Sequence, residues 1–430
     1  MSIAPRQFLE DLFEKAIAAA HPSMCLPPLL PEPPPAGKLI LLAAGKAAGS
    51  MTEIAERHYL EEKRVPRERL SGIAVARHGY GRPTKVIDMI EAGHPVPDQA
   101  SLNSAARALE LAKSATADDL VLVLISGGAS ANWIAPAAGL ALAEKQAVTR
   151  ALLRSGANIG EINTVRKHLS RIKGGRLARA ASPARLVTLA ISDVPGDDPD
   201  TIGSGPTVPD RSTLADARAV VARFKLDLPD SVHRALNDPA NESPKPDDPA
   251  FANAQFHLAA RPLDAFEAAQ AKIRMAGYEC FFLGANLEGE AREVATDQAR
   301  TAKVLRAQGR RAVILSGGEL TVTIRGRGRG GPNQEYALAL ALALDGETGI
   351  YALAGDTDGT DGGAGSAEDP AGARVDGETV ARARALGLDP ASFLADNNST
   401  GFFGPLGDLL TPGPTFTNVN DFRAILVDKP

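Results

Sequence analysis

Several short stretches place carboxylates, cations and small residues at spacings suited to phosphate chemistry. The first is 185–207, RLVTLAISDVPGDDPDTIGSGPT. Leu186 to Ile191 is apolar and β-branched enough to read as a buried strand. It breaks into Ser192, Asp193, Gly196, Asp197 and Asp198 and ends in Gly203, Ser204, Gly205 and Pro206. Open α/β sheets keep ligands outside the carboxyl ends of their strands. Carboxylates there could hold a divalent metal, and glycines there let backbone N–H groups approach phosphate. Taken alone, the same loop reads more simply as a polar turn with capping aspartates.

Other strands end the same way. KLILLAAG (38–45) runs into Lys46 and then a helix. This is the geometry for a phosphate at a helix N-terminus with a cation beside it, although the GxxxxGK[ST] pattern of a P-loop is absent. A helix start is already positive, which makes it a poor place for a purely structural lysine. LVLVLISGG (120–128) ends in Ser126, Gly127 and Gly128, with Ser130 behind, and offers N–H groups to an anion. His94, before Pro95, could touch a substrate carboxylate or be structural. Asp98 reads as the start of a helix. In 156–180, Asn163, Arg166, Lys167, Ser170 and Lys173 are spaced to share one helical face, either a solvated basic surface or a seat for an anion. Ser316, Gly317, Gly318 and Glu319 repeat the strand-to-turn pattern. Arg325 then ends a half-exposed run, TVTIR, beside a Gly-rich loop, and Asn333 and Glu335 open a helix. A strand over 349–365 ends in Asp356, Asp358 and Asp361, which either bind metal or cap their own loop.

These residues need a scaffold, and the chain is long enough for two domains. It has 430 residues, 44% hydrophobic and 23% charged, with a net charge of −5. The charge argues against general nucleic-acid binding. Only Cys25 and Cys280 are present, so neither a disulfide framework nor a Cys-based zinc site is expected. There is no 18-residue apolar span, and Glu10, Asp11, Glu14 and Lys15 break any signal-peptide core, so no membrane association and a cytoplasmic location are expected. A helix over 5–20 and a proline-rich connector precede alternating strands and helices. The stretch 228–249, rich in Pro, Asp, Asn and Ser, reads as a linker. The expected domains are therefore 1–240 and 250–430, with the last strand a candidate to pack back on the first domain.

Three local motifs mislead. Gly326 to Gly331 formally matches GxGxxG and supports a dehydrogenase, but interleaved Arg325, Arg327 and Arg329 are foreign to a tight apolar turn. RGRGRGG resembles an RNA-binding Arg-Gly segment, but it occurs once, between a strand and a helix. DTDGTDG misses the calcium-loop glycine by one register.

Taken together, GKAA (45–48), GHPVPD (93–98), ISGGAS (125–130), NTVRKHLSRIKGGRLA (163–178) and SDVPGDDPDTIGSGPT (192–207) resemble the glycerate 2-kinase family. SGGELTVTIRGRGRGGPNQE (316–335), DTDGTDG (356–362) and GPTFTNVNDF (413–422) continue the match in the family's order. The resemblance runs from near residue 8 to near 427. It implies an α/β fold with a larger Rossmann-like three-layer α/β/α domain, a smaller α/β MOFRL domain and an active site in the interdomain cleft. It also implies ATP- and Mg²⁺-dependent phosphorylation of D-glycerate on its 2-hydroxyl, giving 2-phosphoglycerate. Some relatives are called hydroxypyruvate reductase, which keeps an NAD(P)H-dependent alternative open.

On these residues Lys46, Arg325 and Asp193 are the catalytic candidates, the matching family lysine being regarded as catalytic. Ser126, Gly127, Gly128, Ser316, Gly317, Gly318, Glu319, Asn333 and Glu335 are candidates for ATP. Asp193, Asp197, Asp356 and Asp358 are candidates for Mg²⁺, and Ser130, Arg166 and Lys167 for the substrate. A small-molecule partner is expected, and a homodimer is allowed. Two departures stand out: Pro332 where the family often has Arg in GGRNQE, and Asn397-Asn398-Ser399 where it has Asn-Asp-Ser, one carboxylate fewer.

Overall fold

The computed structural model describes residues 4–344, 346–363 and 366–428. The strand expected over 349–365 extends into residues outside that set, as do the outermost ends of the two expected domains. Two compact units emerge, one spanning 25–259 and the other combining 4–24 with 260–428.

The first unit is built on a six-stranded sheet: β1 (Leu39–Ala44), β2 (Leu70–Arg77), β3 (Asp88–Ala92), β4 (Leu120–Ile125), β5 (Arg185–Ile191) and β6 (Ala254–Ala260). Their order, β3-β2-β1-β4-β5-β6, is the Rossmann order, and the β1, β2, β3, β4 and β5 pairings are parallel. Each residue of β1 and β4 is buried, as their continuous apolar runs require in a sheet covered on both faces. Helices Gln99–Lys113 and Arg176–Ala181 put Ala105, Ala108, Leu109, Leu177 and Ala181 into one core with Ile40, Leu42, Val121 and Val123. Asp98 caps the first of these helices, accepting from the Ser101 N–H at 2.9 Å.

The second unit carries a mixed sheet of β7 (Glu279–Phe282), β8 (Ala312–Gly318), β9 (Ile350–Asp356), β10 (Gly372–Asp376), β11 (Leu409–Leu410) and β12 (Asp421–Val427). The order is β11-β10-β9-β12-β8-β7. β7 and β8 run parallel, and β12 lies antiparallel between β8 and β9. The last strand is thus a central strand of the second sheet and does not return to the first. Its registry sets Asp421 opposite both Gly318 and Asp356.

Three boundaries differ from the sequence reading. Helix Pro5–Ala20 belongs with the C-terminal half, because its apolar stripe of Phe8, Leu9, Leu12 and Phe13 is buried there, with Phe13 against Phe422 at 5.9 Å. The expected linker 228–249 instead holds helix Asp230–Asn237, whose Val232 and Leu236 join a core with Val148, Val165 and Leu169. β6, expected in the second domain, is the edge strand of the first sheet. The run TVTIR is extended but forms only an isolated bridge between Glu290 and Thr321. Truncating Phe13→Ala should lower the unfolding free energy by about 3–5 kcal/mol, the usual cost of emptying a buried phenyl site. Urea denaturation checks this. A loss under 1 kcal/mol would mean that the N-terminal helix is not integral to the second unit.

Candidate functional site

The Rossmann order reverses between β1 and β4, and there the turns after both strands interlock. The Lys46 N–H donates to the Gly127 carbonyl at 2.8 Å, and the Ala47 N–H donates to Ser126 Oγ at 2.9 Å. The Ser126 side chain therefore braces the turn that carries Lys46. Gly128 has φ +84°, and a β-carbon on it would stand 2.9 Å from His94 Cδ2 and 3.4 Å from Lys46 Cγ. Only glycine meets both demands, and its bareness lets Lys46 and His94 approach each other across the turn. The N–H groups of Gly127 and Gly128 make no hydrogen bond among the described residues. The crevice at this switch point thus holds two open donors, a lysine and a histidine, a combination suited to phosphate.

Behind Gly128 the chain passes Ser130, whose hydroxyl lies 2.6 Å from that of Ser204 in the loop after β5. Ser204 in turn donates to Asn163 Oδ1 at 3.3 Å. A cavity of about 220 Å³ opens beside Ser130, walled by Pro95, Val96, Ile134, Leu153, Lys145 and Arg166, with Lys173 also on its lining. Lys145 and Lys173 are 2% and 1% exposed. Their Nζ groups donate to carbonyls, Lys145 to that of Arg166 at 2.7 Å and Lys173 to that of Ser130 at 2.9 Å. Burial, then the charge of Arg166, pushes both lysines well below their usual range. Burial also lowers Arg166.

Arg166 and Lys173 meet, but not on one helical face. The helix Ile159–His168 ends before Ser170, which instead bridges to Pro136, and Gly174 and Gly175 take positive φ before the next helix. Lys167 departs further from expectation. It points away from the cavity into an ion pair with Asp200, with Asp210 at 3.5 Å. Its side chain is 4% exposed, so it ties the loop after β5 to the helix rather than waiting for substrate. In that loop Asp193 is half-buried, and Asp197, at φ +55°, has a buried Oδ1 without a hydrogen-bond partner.

In the second unit, the candidates serve mainly to hold one another. Ser316, Gly317 and Gly318 are the last residues of β8, not a turn. The Gly317 N–H is taken by the Gly284 carbonyl at 2.8 Å, and the Ser316 hydroxyl accepts from Gln298 at 3.1 Å and Arg423 at 3.4 Å. Glu319 is exposed. Asn333 and Glu335 lie in the buried helix Pro332–Leu344. Glu335 pairs with Arg292 and accepts from Asn397 at 3.1 Å, so it does not face a nucleotide. Asn333 donates to Asp421 at 2.7 Å and to Asp361 at 3.3 Å.

Asp361, which pattern alone grouped with Asp356 and Asp358, caps this helix from outside. Its carboxylate accepts from the N–H groups of Asn333 (3.0 Å) and Gln334 (2.8 Å). Asp356 accepts from the Asp358 N–H at 2.9 Å, and Asp358 from the Thr360 N–H at 2.8 Å, so both stitch their own turn.

The Gly-rich loop is not a dinucleotide fingerprint. A β-carbon on Gly326 would meet the Asp396 backbone at 2.2 Å, and one on Gly328 would meet Asn398 Cβ at 2.3 Å. These glycines make room for the 396–399 turn, not for a pyrophosphate. Asn397 Oδ1 accepts from the Arg325 and Gly326 N–H groups at 2.7 and 2.9 Å, and Asn398 Oδ1 from the Arg329 N–H at 3.3 Å. Glycines face the turn while Arg325, Arg327 and Arg329 are exposed. The Asn-Asn pair therefore serves as a clamp, a role an amide fills without a carboxylate.

Among the described residues no group of three or more His, Cys, Asp or Glu side chains could hold a metal. Mg²⁺ commonly takes one or two carboxylates together with phosphate oxygens, and the unpartnered oxygen of Asp197 fits that smaller demand.

A domain family described as a domain of unknown function (DUF4147) matches residues 8–237, and the MOFRL family matches 312–421. Over 416 residues the chain is 38% identical to the D-glycerate 2-kinase of Thermotoga maritima, spanning 96% of this chain and 95% of that protein. The chain belongs to the glycerate 2-kinase family, and it is a kinase. A crystal structure of glycerate kinase from Thermotoga maritima superposes with a TM-score of 0.85 at 38% identity, covering 98% of this chain and 99% of that one. A protein of Agrobacterium vitis described as a putative hydroxypyruvate reductase is 47% identical over 99% of this chain and 95% of its own length. No helix among the described residues is long and apolar enough to cross a membrane.

The cap on the buried helix generates a pH signature. Burial, then the charge of Asp421, raises Asp361 to about 7. An unfolded Asp loses its proton near 4, so between the two values the native state binds more protons and stability falls as pH rises. From pH 5 to pH 8 the wild type should lose roughly 3 kcal/mol relative to Asp361→Asn, which has no proton to lose. Urea unfolding of both proteins at the two pH values measures it. Identical changes in the two would show that Asp361 is ionised throughout.

Proposed function

We propose that the chain transfers the γ-phosphoryl group of ATP to the 2-hydroxyl of D-glycerate, releasing ADP and 2-phosphoglycerate. The observation that carries this reading is the switch-point crevice, where Lys46 is held beside the open N–H groups of Gly127 and Gly128. Phosphoryl transfer asks mainly for positioning and for neutralisation of charge on the transferred group. Lys46 supplies the cation, and the two N–H groups bind phosphate oxygens. Ser130 and Arg166 on the adjoining cavity are the side chains offered to glycerate. Arg325, the other cation proposed for catalysis, is exposed on the second unit.

The 2-hydroxyl oxygen forms its bond to the γ-phosphorus as the bond to the ADP oxygen breaks. Its proton passes to a carboxylate of the loop after β5, Asp193 or Asp197. Mg²⁺, held by Asp197 and Asp193 together with phosphate oxygens, would neutralise charge on the nucleotide.

The Agrobacterium vitis relative described as a putative hydroxypyruvate reductase supports a reductase as second reading. A nicotinamide dinucleotide would need the glycine fingerprint. At the first βα turn the chain reads Gly45-Lys46-Ala47-Ala48-Gly49, with Ala47 where the second glycine belongs. The kinase reading is therefore the better supported.

Phosphorus NMR on a reaction of ATP with D-glycerate tests it, with ADP and a phosphomonoester on C2 expected. NADH oxidation by hydroxypyruvate without ADP formation would replace it with the reductase. In a kinase, Lys46→Ala should cut kcat by about 10³-fold, as removal of a transition-state cation does, with the circular dichroism spectrum retained. A near-normal rate would remove Lys46 from the mechanism.

A further inference from the structure

The cavity beside Ser130 has an unusual charge balance. Lys145 and Lys173 are almost fully buried, and Arg166 lines the same cavity, yet none of the three has an acidic partner among the described residues. The two ammonium groups rest on backbone carbonyls, and the Arg166 guanidinium has only Asn163 Oδ1, at 3.5 Å. Burying a charge without a counter-ion is expensive, and proteins normally neutralise it with a carboxylate nearby. Elsewhere this chain does so: buried Arg423 pairs with Asp421 at 2.9 Å, and buried Lys167 with Asp200. This cluster, without an acid among the described residues, lines an open cavity.

The rest of the lining is mixed: Ser130, Gln146, Thr149 and Arg150 are polar, and one wall is apolar. Pro95, Val96, Pro97, Ile134 and Leu153 are apolar, and Val96 and Leu153 stay 62% and 65% exposed at its rim. The volume of about 220 Å³ equals that of roughly seven waters. Glycerate has seven non-hydrogen atoms bonded to one another, so it leaves part of this space unfilled. The stretch from His94, which touches the Gly128 turn beside Lys46, runs directly into Pro95–Pro97 of the cavity wall.

We propose that Lys145, Arg166 and Lys173 form a receptor for a single substrate carboxylate, and that the apolar wall beside them admits 2-hydroxy acids larger than glycerate. The counter-ion missing from the protein is then supplied by the substrate. An entering carboxylate gives these three buried basic groups the partner that the fold withholds, and favours the charged form of the two lysines that burial disfavours. A neutral diol or amide brings no such partner. A chain beyond C3 meets Val96, Ile134 and Leu153, where each added methylene gains contact instead of clashing. Lys145 and Lys173 are specificity residues and do not touch the transferred phosphoryl. The proposal rests on the kinase reading only for the identity of the acid, so it is tested by binding as well as turnover.

Isothermal titration of the whole protein with D-glycerate and with its neutral isostere D-glyceramide reads the charge requirement without any mutation. The amide should bind at least about 100-fold more weakly, in the range found when one partner of a buried charge pair is removed. Equal affinities would overturn the receptor. Lys145→Met and Lys173→Met keep the side-chain length and remove the charge. Each should weaken glycerate binding by about 30-fold or more and raise its KM, while the KM for ATP and the circular dichroism spectrum stay unchanged. Unchanged glycerate affinity in both variants would also overturn it.

D-2-hydroxybutyrate and D-2-hydroxyvalerate should bind within about 10-fold of glycerate. Their exclusion would overturn the apolar-wall half. If charge-dependent glycerate binding is found but no phosphate is transferred, the failure lies with the kinase reading and the receptor stands.

Discussion

Two hydrogen bonds between neighbouring turns carry the site of the first unit. The Lys46 N–H reaches the Gly127 carbonyl, and the Ala47 N–H reaches the Ser126 hydroxyl. They lock the ends of β1 and β4 at the point where the strand order reverses. With Ser126 spent as a brace, the donors left over are the N–H groups of Gly127 and Gly128. With Gly128 bare, Lys46 and His94 can share one face of the turn. Any side chain at 128 would separate them, so the chemistry of the crevice depends on a glycine that does no chemistry itself.

Charge is handled in two ways. In the second unit, Asp421, Arg423, Asn333 and Asp361 are joined in a buried hydrogen-bonded network, and Asp361 completes it by capping a largely buried helix. Such a network holds a strand end, a helix start and a loop in one arrangement. In the first unit, Lys145, Arg166 and Lys173 are left without acids. The contrast separates carboxylates that build the fold from cations kept for something that arrives from outside.

Much of this was legible beforehand. The apolar runs of β1, β4 and β5 announced buried parallel strands, and Lys46, Ser126 to Gly128, and Ser130 were found because they sit where such strands end. Ser316 to Gly318 has the same local signature but another fate, since β12 pairs alongside it and consumes its turn. Glu335 reads as part of a helix start and as a candidate for ATP. It is instead buried against Arg292, because the Asn397 turn folds over it. Lys145 carries only a faint signal: it stands in an ordinary amphipathic helix, and its neighbours in space make it part of a cavity. That signal is its spacing, which puts it on one helical face with Leu142, Val148 and Leu152.

By itself the sequence determined the α/β class, the strand ends and the family, because periodicity and motif order are local properties that survive without tertiary contacts. Only the tertiary structure decided the partners. It moved the first helix to the C-terminal half, put the last strand at the centre of the second sheet, and turned Lys167 toward Asp200 and Asp210 while bringing Lys145 and Lys173 to Arg166. The reason is that charge pairing and burial depend on distance through space. Arg166 and Lys167 are neighbours in the chain and carry the same sign of charge, and their roles diverge because Lys167 faces an acid and Arg166 does not.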